Sequence, residues 1–183
     1  LENADQDMSF LGRIMAWKQA TLMAMDNITG GGFKAGQGNL IWFRYDPQQN
    51  LNWLFDTSSV YVNGAKAAHS IYFQVLGDHG FIGLLLFLLI LFVAFSQARL
   101  VAKRLKKQQG MENLAKLSSM LRVSLFAYAI AGAAVSLAYF DLLFAIFAIT
   151  HVMNRISLEH RAKTTINVQP VARKAVHDHR HHA

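Results

Sequence analysis

From Phe81 to Phe95 every residue is apolar or glycine, with no polar stripe. At about 1.5 Å per helical residue, positions 81–98 reach roughly 27 Å, the thickness of a bilayer's hydrocarbon core. A helix in a soluble core keeps one polar face, so this run predicts a membrane span. A second apolar stretch, 123–153, is too long for one upright span and has Tyr139-Phe140-Asp141 near its middle. It reads either as one tilted helix or as two short spans turning near Asp141. The hairpin is preferred, because Ala131, Gly132, Ala133, Ala134 and Ser136 would let two helices pack closely. Asp141 is then a turn residue at headgroup level, whereas within the membrane it would be a functional acid.

Upstream, residues 8–26 predict a helix with Ser9 as N-cap and an apolar face of Leu11, Ile14, Met15, Leu22 and Met25. Residues 34–64 look like loop, and Asn63-Gly64 a turn. A helix that includes His69 would put His69, Tyr72, Phe73 and Leu76 on one face. Gly77 and Gly80 predict a break where that helix meets the span. The pattern as a whole predicts an all-α integral membrane protein. A loop of short helices (1–80) leads into a span (81–98), a basic loop (99–122), a helical hairpin (123–153) and a basic tail (154–183).

Charge orients this plan. The 183 residues are 53% apolar and 16% charged, with no cysteine and a formal charge of +7. That balance argues against disorder and against a charge-rich nucleic-acid binder, and the missing cysteines exclude disulfides, thiol catalysis and cysteine-held zinc. Residues 1–80 carry net −2 and residues 81–98 no charge, whereas 99–122 carry +6 and 154–183 carry +4. Basic residues flanking spans stay in the cytoplasm, which puts 99–122 and the tail inside and 1–80 outside. Between two spans, the basic block is an orientation signal rather than a nucleic-acid patch. The tail sequence His177-Asp178-His179-Arg180-His181-His182 has metal-binding composition but no fixed scaffold, and reads as a solvated terminus. The chain opens Leu1-Glu2-Asn3, without methionine or leader pattern, and is expected to be the C-terminal piece of a longer protein.

The candidate chemistry lies in 1–80. Arg13 and Trp17 share a helix face, either to meet substrate or as a snorkelling arginine beside an interfacial ring. Gly30-Gly31-Gly32 either converges amides on an anion or serves as a connector. Trp42, Phe43, Tyr45, Trp53, Phe55 and Tyr61 suit a membrane interface, or stacking on sugars. Arg44 among them could pair with phosphate or with Asp46. His69, at the mouth of a span, has the acid–base range of a general base, or is an ordinary interfacial histidine.

Three of these strings occur together in a known order. His69-Ser70-Ile71-Tyr72-Phe73 followed by Gly77-Asp78-His79-Gly80-Phe81-Ile82-Gly83-Leu84 resembles the signature of the O-antigen ligase and polymerase superfamily. Ser9-Phe10-Leu11-Gly12-Arg13-Ile14-Met15-Ala16-Trp17 resembles its serine, arginine and tryptophan pattern, and Gly30-Gly31-Gly32-Phe33 its glycine-rich step. The form Ala67-Ala68-His69-Ser70-Ile71-Tyr72-Phe73-Gln74 is most similar to O-glycosylation ligases associated with the exosortase A system. The likeness covers roughly residues 5–155, and Asp78 stands where many relatives carry glutamate. It implies a multi-pass transferase of the bacterial inner membrane with its site facing the periplasm. Such enzymes move a glycan from an undecaprenyl diphosphate carrier to an acceptor hydroxyl on lipid, protein or sugar. They need no cofactor, nucleotide sugar or metal, and no nucleic acid takes part. By this resemblance His69 is the catalytic base, Arg13 and more weakly Arg44 bind the donor diphosphate, and Trp17, Gly31, Tyr72 and Asp78 support them. Earlier spans would complete the donor pocket, so this chain alone is expected to be inactive. A repeat-unit polymerase shares the same motifs, and a non-catalytic component of polysaccharide export is the rival from a different class.

Overall fold

The computed structural model describes residues 2–58 and 64–178, and the side chains of 8–58 and 64–163. Tyr61, Asn63, His179, Arg180, His181 and His182 lie outside the described residues, as do the side chains of His177 and Asp178. The elements are α1 (Glu2–Asp26), α2 (Asn39–Tyr45), α3 (Ile71–Leu105), α4 (Glu112–Ala131) and α5 (Asp141–Asp178), with single 3-10 turns at Ala35–Gln37 and Gly132–Ala134. Ile71–Leu105, Glu112–Ala134 and Asp141–Lys163 are each long and apolar enough to cross a membrane. Their large apolar side chains face outward, Leu85 at 67%, Phe92 at 69% and Val123 at 61% exposure. In water so much exposed apolar surface would drive association, whereas hydrocarbon is its natural solvent.

Several boundaries differ from the sequence expectation. Helix α1 begins at Glu2, so Ser9 is an interior residue rather than a cap. No glycine or proline interrupts 2–8, and acids at 2, 5 and 7 suit the positive end of a helix. The buried face of α1 is the expected one only in part: Ile14 and Met15 are buried, but Met25 is 60% exposed and Lys18 and Gln19 are buried beside Met23. The supposed loop 34–64 contains α2, whose Trp42 is buried against Met15. The basic block is largely helical. Arg99, Lys103 and Arg104 lie in α3 and Lys116 and Arg122 in α4, so only 106–111 is outside a helix. Residues 123–153 comprise the end of α4, a turn over 132–140 and the start of α5, whose first residue is Asp141. Gly132 packs against Ile71, whose side chain occupies the space a Cβ would need.

The chain divides into two compact units, Leu1–Phe92 with Ala127–Phe140, and Val93–Phe126 with Asp141–Ala183. In the second, Val101, Leu105, Ala115 and Met153 form a small apolar core. Ser118 donates from its hydroxyl to the Ala98 carbonyl at 2.9 Å, and Arg104 donates to Asn154 Oδ1 at 2.8 Å.

The first unit is built around a break in α3. Gly80 has φ 64° and ψ −163°, which interrupts the helix immediately before the charge-free run. Carbonyls that an unbroken helix would use internally are released. Gly77 and Asp78 accept instead from the amides of Gly31 and Gly32, each at 2.9 Å, and the Ile82 amide donates to the Ile28 carbonyl at 3.4 Å. The two glycine segments thus clasp each other. The end of α4 and the turn at 132–140 join the same structure: Tyr72 donates its hydroxyl to the Ala129 carbonyl at 2.7 Å, and the Ala138 amide donates to Gln74 Oε1 at 3.2 Å. This turn returns the chain to the end from which α3 started.

The clasp predicts a ranking of two glycine substitutions. Gly32 has φ 91° and open space around a Cβ, so Gly32→Ala bears only the left-handed backbone penalty, about 1–2 kcal/mol. Gly80→Ala bears that penalty and also drives a methyl group into the Ile28 carbonyl, and is expected to destabilise by several kcal/mol more. Thermal unfolding in detergent checks the order, and equal losses would contradict the clasp.

Candidate functional site

Residues 66–82 and α1 assemble the candidate site within the first unit. Trp17 donates its indole N–H to the Ala68 carbonyl at 2.6 Å, and its ring stacks on Phe73 at 4.9 Å and 8°. This fixes the chain immediately before His69. His69 itself has φ 45°, is exposed, and makes no hydrogen bond or ion pair among the described residues. It therefore lies outside α3, which starts at Ile71, and does not share a helix face with Tyr72, Phe73 and Leu76. The left-handed residue swings the backbone from the Trp17 tie into the buried start of α3, where Ser70 is 2% and Ile71 0% exposed. Both imidazole nitrogens remain available.

Arg13 sits one helical turn before Trp17, half-buried, and its guanidinium makes no hydrogen bond or ion pair among the described residues. An unengaged guanidinium beside a fixed backbone tie is suited to a bidentate oxyanion. Arg44 is placed differently from expectation. It pairs with Asp26 at 3.1 Å, not with Asp46, in an exposed bridge that Tyr45 shares by donating its hydroxyl to the same oxygen at 2.7 Å. That bond holds the proton on Tyr45 and raises its pKa above the usual tyrosine value, with partial burial adding to the effect.

The other expected residues are engaged by the scaffold. Gly31 gives its amide to the clasp, and Tyr72 ties α3 to α4. Asp78 is 5% exposed; one carboxyl oxygen accepts the Lys34 amide at 3.0 Å and the other the Tyr139 hydroxyl at 2.9 Å. Phe33, His79 and Tyr139 close over this point edge to face, with centroids 4.6 Å apart for Phe33–His79 and 5.2 Å for Phe33–Tyr139. Burial first, and then the bond to Asp78, pushes the Tyr139 phenol well above its usual pKa.

Two features were missed from sequence. Lys18 is 2% exposed and donates to Asn52 Oδ1 at 2.6 Å and to Thr57 Oγ1 at 2.7 Å, pinning the aromatic segment to α1. Burial lowers its pKa, and the attraction of Asp56 only partly offsets this. The available signal was the apolar character of its helix-face neighbours Ile14, Met15 and Leu22. Gln19 and Ser136 line a cavity of about 40 Å³ together with Gln74 and Phe73, and Gln19 Nε2 and Ser136 Oγ have no partner there. The volume suits ordered water. No three acidic or histidine side chains converge as metal ligands among the described residues.

The architecture is that of an all-helical chain with three membrane-length apolar helices and an irregular, glycine-clasped site at the start of the first. No protein-family model, curated protein or solved structure matches it.

Tyr139→Phe removes the donor to a buried carboxyl oxygen and is expected to cost about 1–3 kcal/mol of stability, measured by unfolding in detergent. The pH sign comes from linkage. The folded state holds the phenol proton more tightly than the unfolded chain, whose pKa is near 10.0. The Tyr139 contribution is therefore complete below that pH and is lost as pH rises from there towards the higher folded value. The Phe variant should lack this alkaline loss.

Proposed function

We propose that this chain carries the acceptor-activating part of an O-antigen ligase-type glycosyltransferase, working at the periplasmic face of a bacterial inner membrane. The observation that supports it best is the setting of His69: an exposed, unpartnered imidazole, fixed by left-handed backbone next to a tie made one helical turn from the unengaged Arg13. The donor is a glycan on undecaprenyl diphosphate. An acceptor hydroxyl gives its proton to a His69 nitrogen as its oxygen attacks the anomeric carbon. The bond from that carbon to the phosphate oxygen breaks, and the diphosphate leaves with the electron pair. Arg13 pairs with the charge that develops on it, where a fixed guanidinium is most effective. Arg44 is a second candidate, because an exposed ion pair such as Arg44–Asp26 exchanges readily for a phosphate. Trp17, Gly31, Tyr72 and Asp78 position the backbone on either side of His69.

Placing His69→Ala in the chromosomal gene tests this reading. A general base contributes about 10²–10⁴-fold, so glycoconjugate transfer seen on gels should disappear while the protein stays in the membrane. Finished polymer accumulating on the carrier indicates a ligase, and single repeat units indicate the polymerase of the same superfamily. Normal transfer by the variant would overturn the enzyme and leave a non-catalytic component of polysaccharide export.

A further inference from the structure

The second unit holds a cleft of about 1040 Å³ between the end of α3, the 106–111 turn and α5. Lys103, Arg104, Lys107, His160 and Arg161 line it, with no carboxylate among the described lining residues. Part of this wall is held in place: Arg104 donates to Asn154 Oδ1 at 2.8 Å and Gln108 Nε2 to the Ser157 carbonyl at 2.9 Å. The side chains of Lys103 and Lys107 are exposed and make no hydrogen bond or ion pair among the described residues. On a convex surface such lysines are simply hydrated. In a concave site with low-dielectric walls, like charges concentrate the field and call for an anion.

The surroundings of the cleft distinguish one kind of anion. Leu100, 51% exposed, forms its lip. On α5, Val152, Ile156 and His160 fall at four-residue spacing and so share a face. Val152 and Ile156 are 55% and 38% exposed. An apolar stripe therefore runs from the cationic cleft along a membrane-length helix. A soluble phosphate has no use for the stripe, whereas a lipid fills both parts.

We infer that this cleft binds the phosphate headgroup of an acidic phospholipid, with acyl chain laid along Leu100, Ile156 and Val152. The site is independent of the chemistry proposed for His69. The test titrates the purified protein in neutral detergent with phosphatidylglycerol, phosphatidylcholine or inorganic pyrophosphate, and reads bound ligand by native mass spectrometry. Phosphatidylglycerol should be retained in preference to both others. The double variant Lys103→Gln/Lys107→Gln should weaken that retention by about fivefold per charge removed. Lys116→Gln/Arg122→Gln removes equal charge from α4 outside the cleft and should retain wild-type binding. Equal loss in both double variants would mean a diffuse field and overturn the site. No preference over phosphatidylcholine, or pyrophosphate binding as tightly as lipid, would overturn the lipid assignment.

Discussion

The first unit depends on an exchange of backbone hydrogen bonds. An unbroken helix through Gly80 would send the Ile82 amide to the Asp78 carbonyl and satisfy Gly77 internally. Instead these groups pair with Ile28, Gly31 and Gly32. Buried amides and carbonyls must find partners, so the break in α3 and the glycine loop are each viable only because the other is present. Side chains would prevent the approach: a Cβ at Gly30 would sit 2.6 Å from the His79 nitrogen. The clasp also sets the course of the neighbouring chain. Lys34 lies in a left-handed turn at φ 60° and aims its amide at Asp78, and Asp78 in turn receives Tyr139. One kink therefore organises the loop, the start of the first long helix and the returning turn.

Lys18 does a parallel task with less favourable chemistry. It is buried against two neutral acceptors, and its lowered pKa means that the fold opposes its charge. The unfolded chain binds the proton more readily, so this opposition is relieved as pH rises from the lowered folded value towards 10.5. What the lysine supplies is connection. Asn52 and Thr57 belong to a segment whose Trp53 and Phe55 are exposed, at 81% and 48%. Apolar burial is not available to hold that segment, and two charge-assisted hydrogen bonds take its place.

The most legible parts of the sequence were those governed by one dominant effect. Fifteen consecutive apolar or glycine residues at 81–95 have few alternatives to a long apolar helix, and the glycine at 80 marked its break. Asp141 was readable because an acid suits a helix start as well as a turn. Where two effects compete, local pattern misled. Met25 belongs to the apolar face by spacing but is exposed, while Gln19 is buried, because the neighbours of α1 are a loop and a kinked helix rather than a flat apolar surface. Helix α2 was hidden by its shortness, since its seven residues are held by contacts far apart in sequence, the burial of Trp42 against Met15 and the bonds of Arg44 and Tyr45 to Asp26. The basic block looked like a loop because its charge drew attention, yet lysine and arginine are good helix formers and α3 and α4 continue into it.

His69 is the clearest case of a residue whose position local pattern could not give. Placed inside a helix, it would have shared a face with Tyr72 and Leu76 and been absorbed into packing. Its φ of 45° takes it out of the helix. Left-handed backbone costs a non-glycine residue about 1–2 kcal/mol, and here the side chain makes no hydrogen bond or ion pair among the described residues to offset it. The strain is imposed from both sides, by Trp17 holding Ala68 and by Ile71 buried against Gly132. Glycine or asparagine would meet the backbone demand at lower cost. The role proposed for His69 would account for a histidine at such a position, and that reasoning runs from an observed outlier to a hypothesis of function.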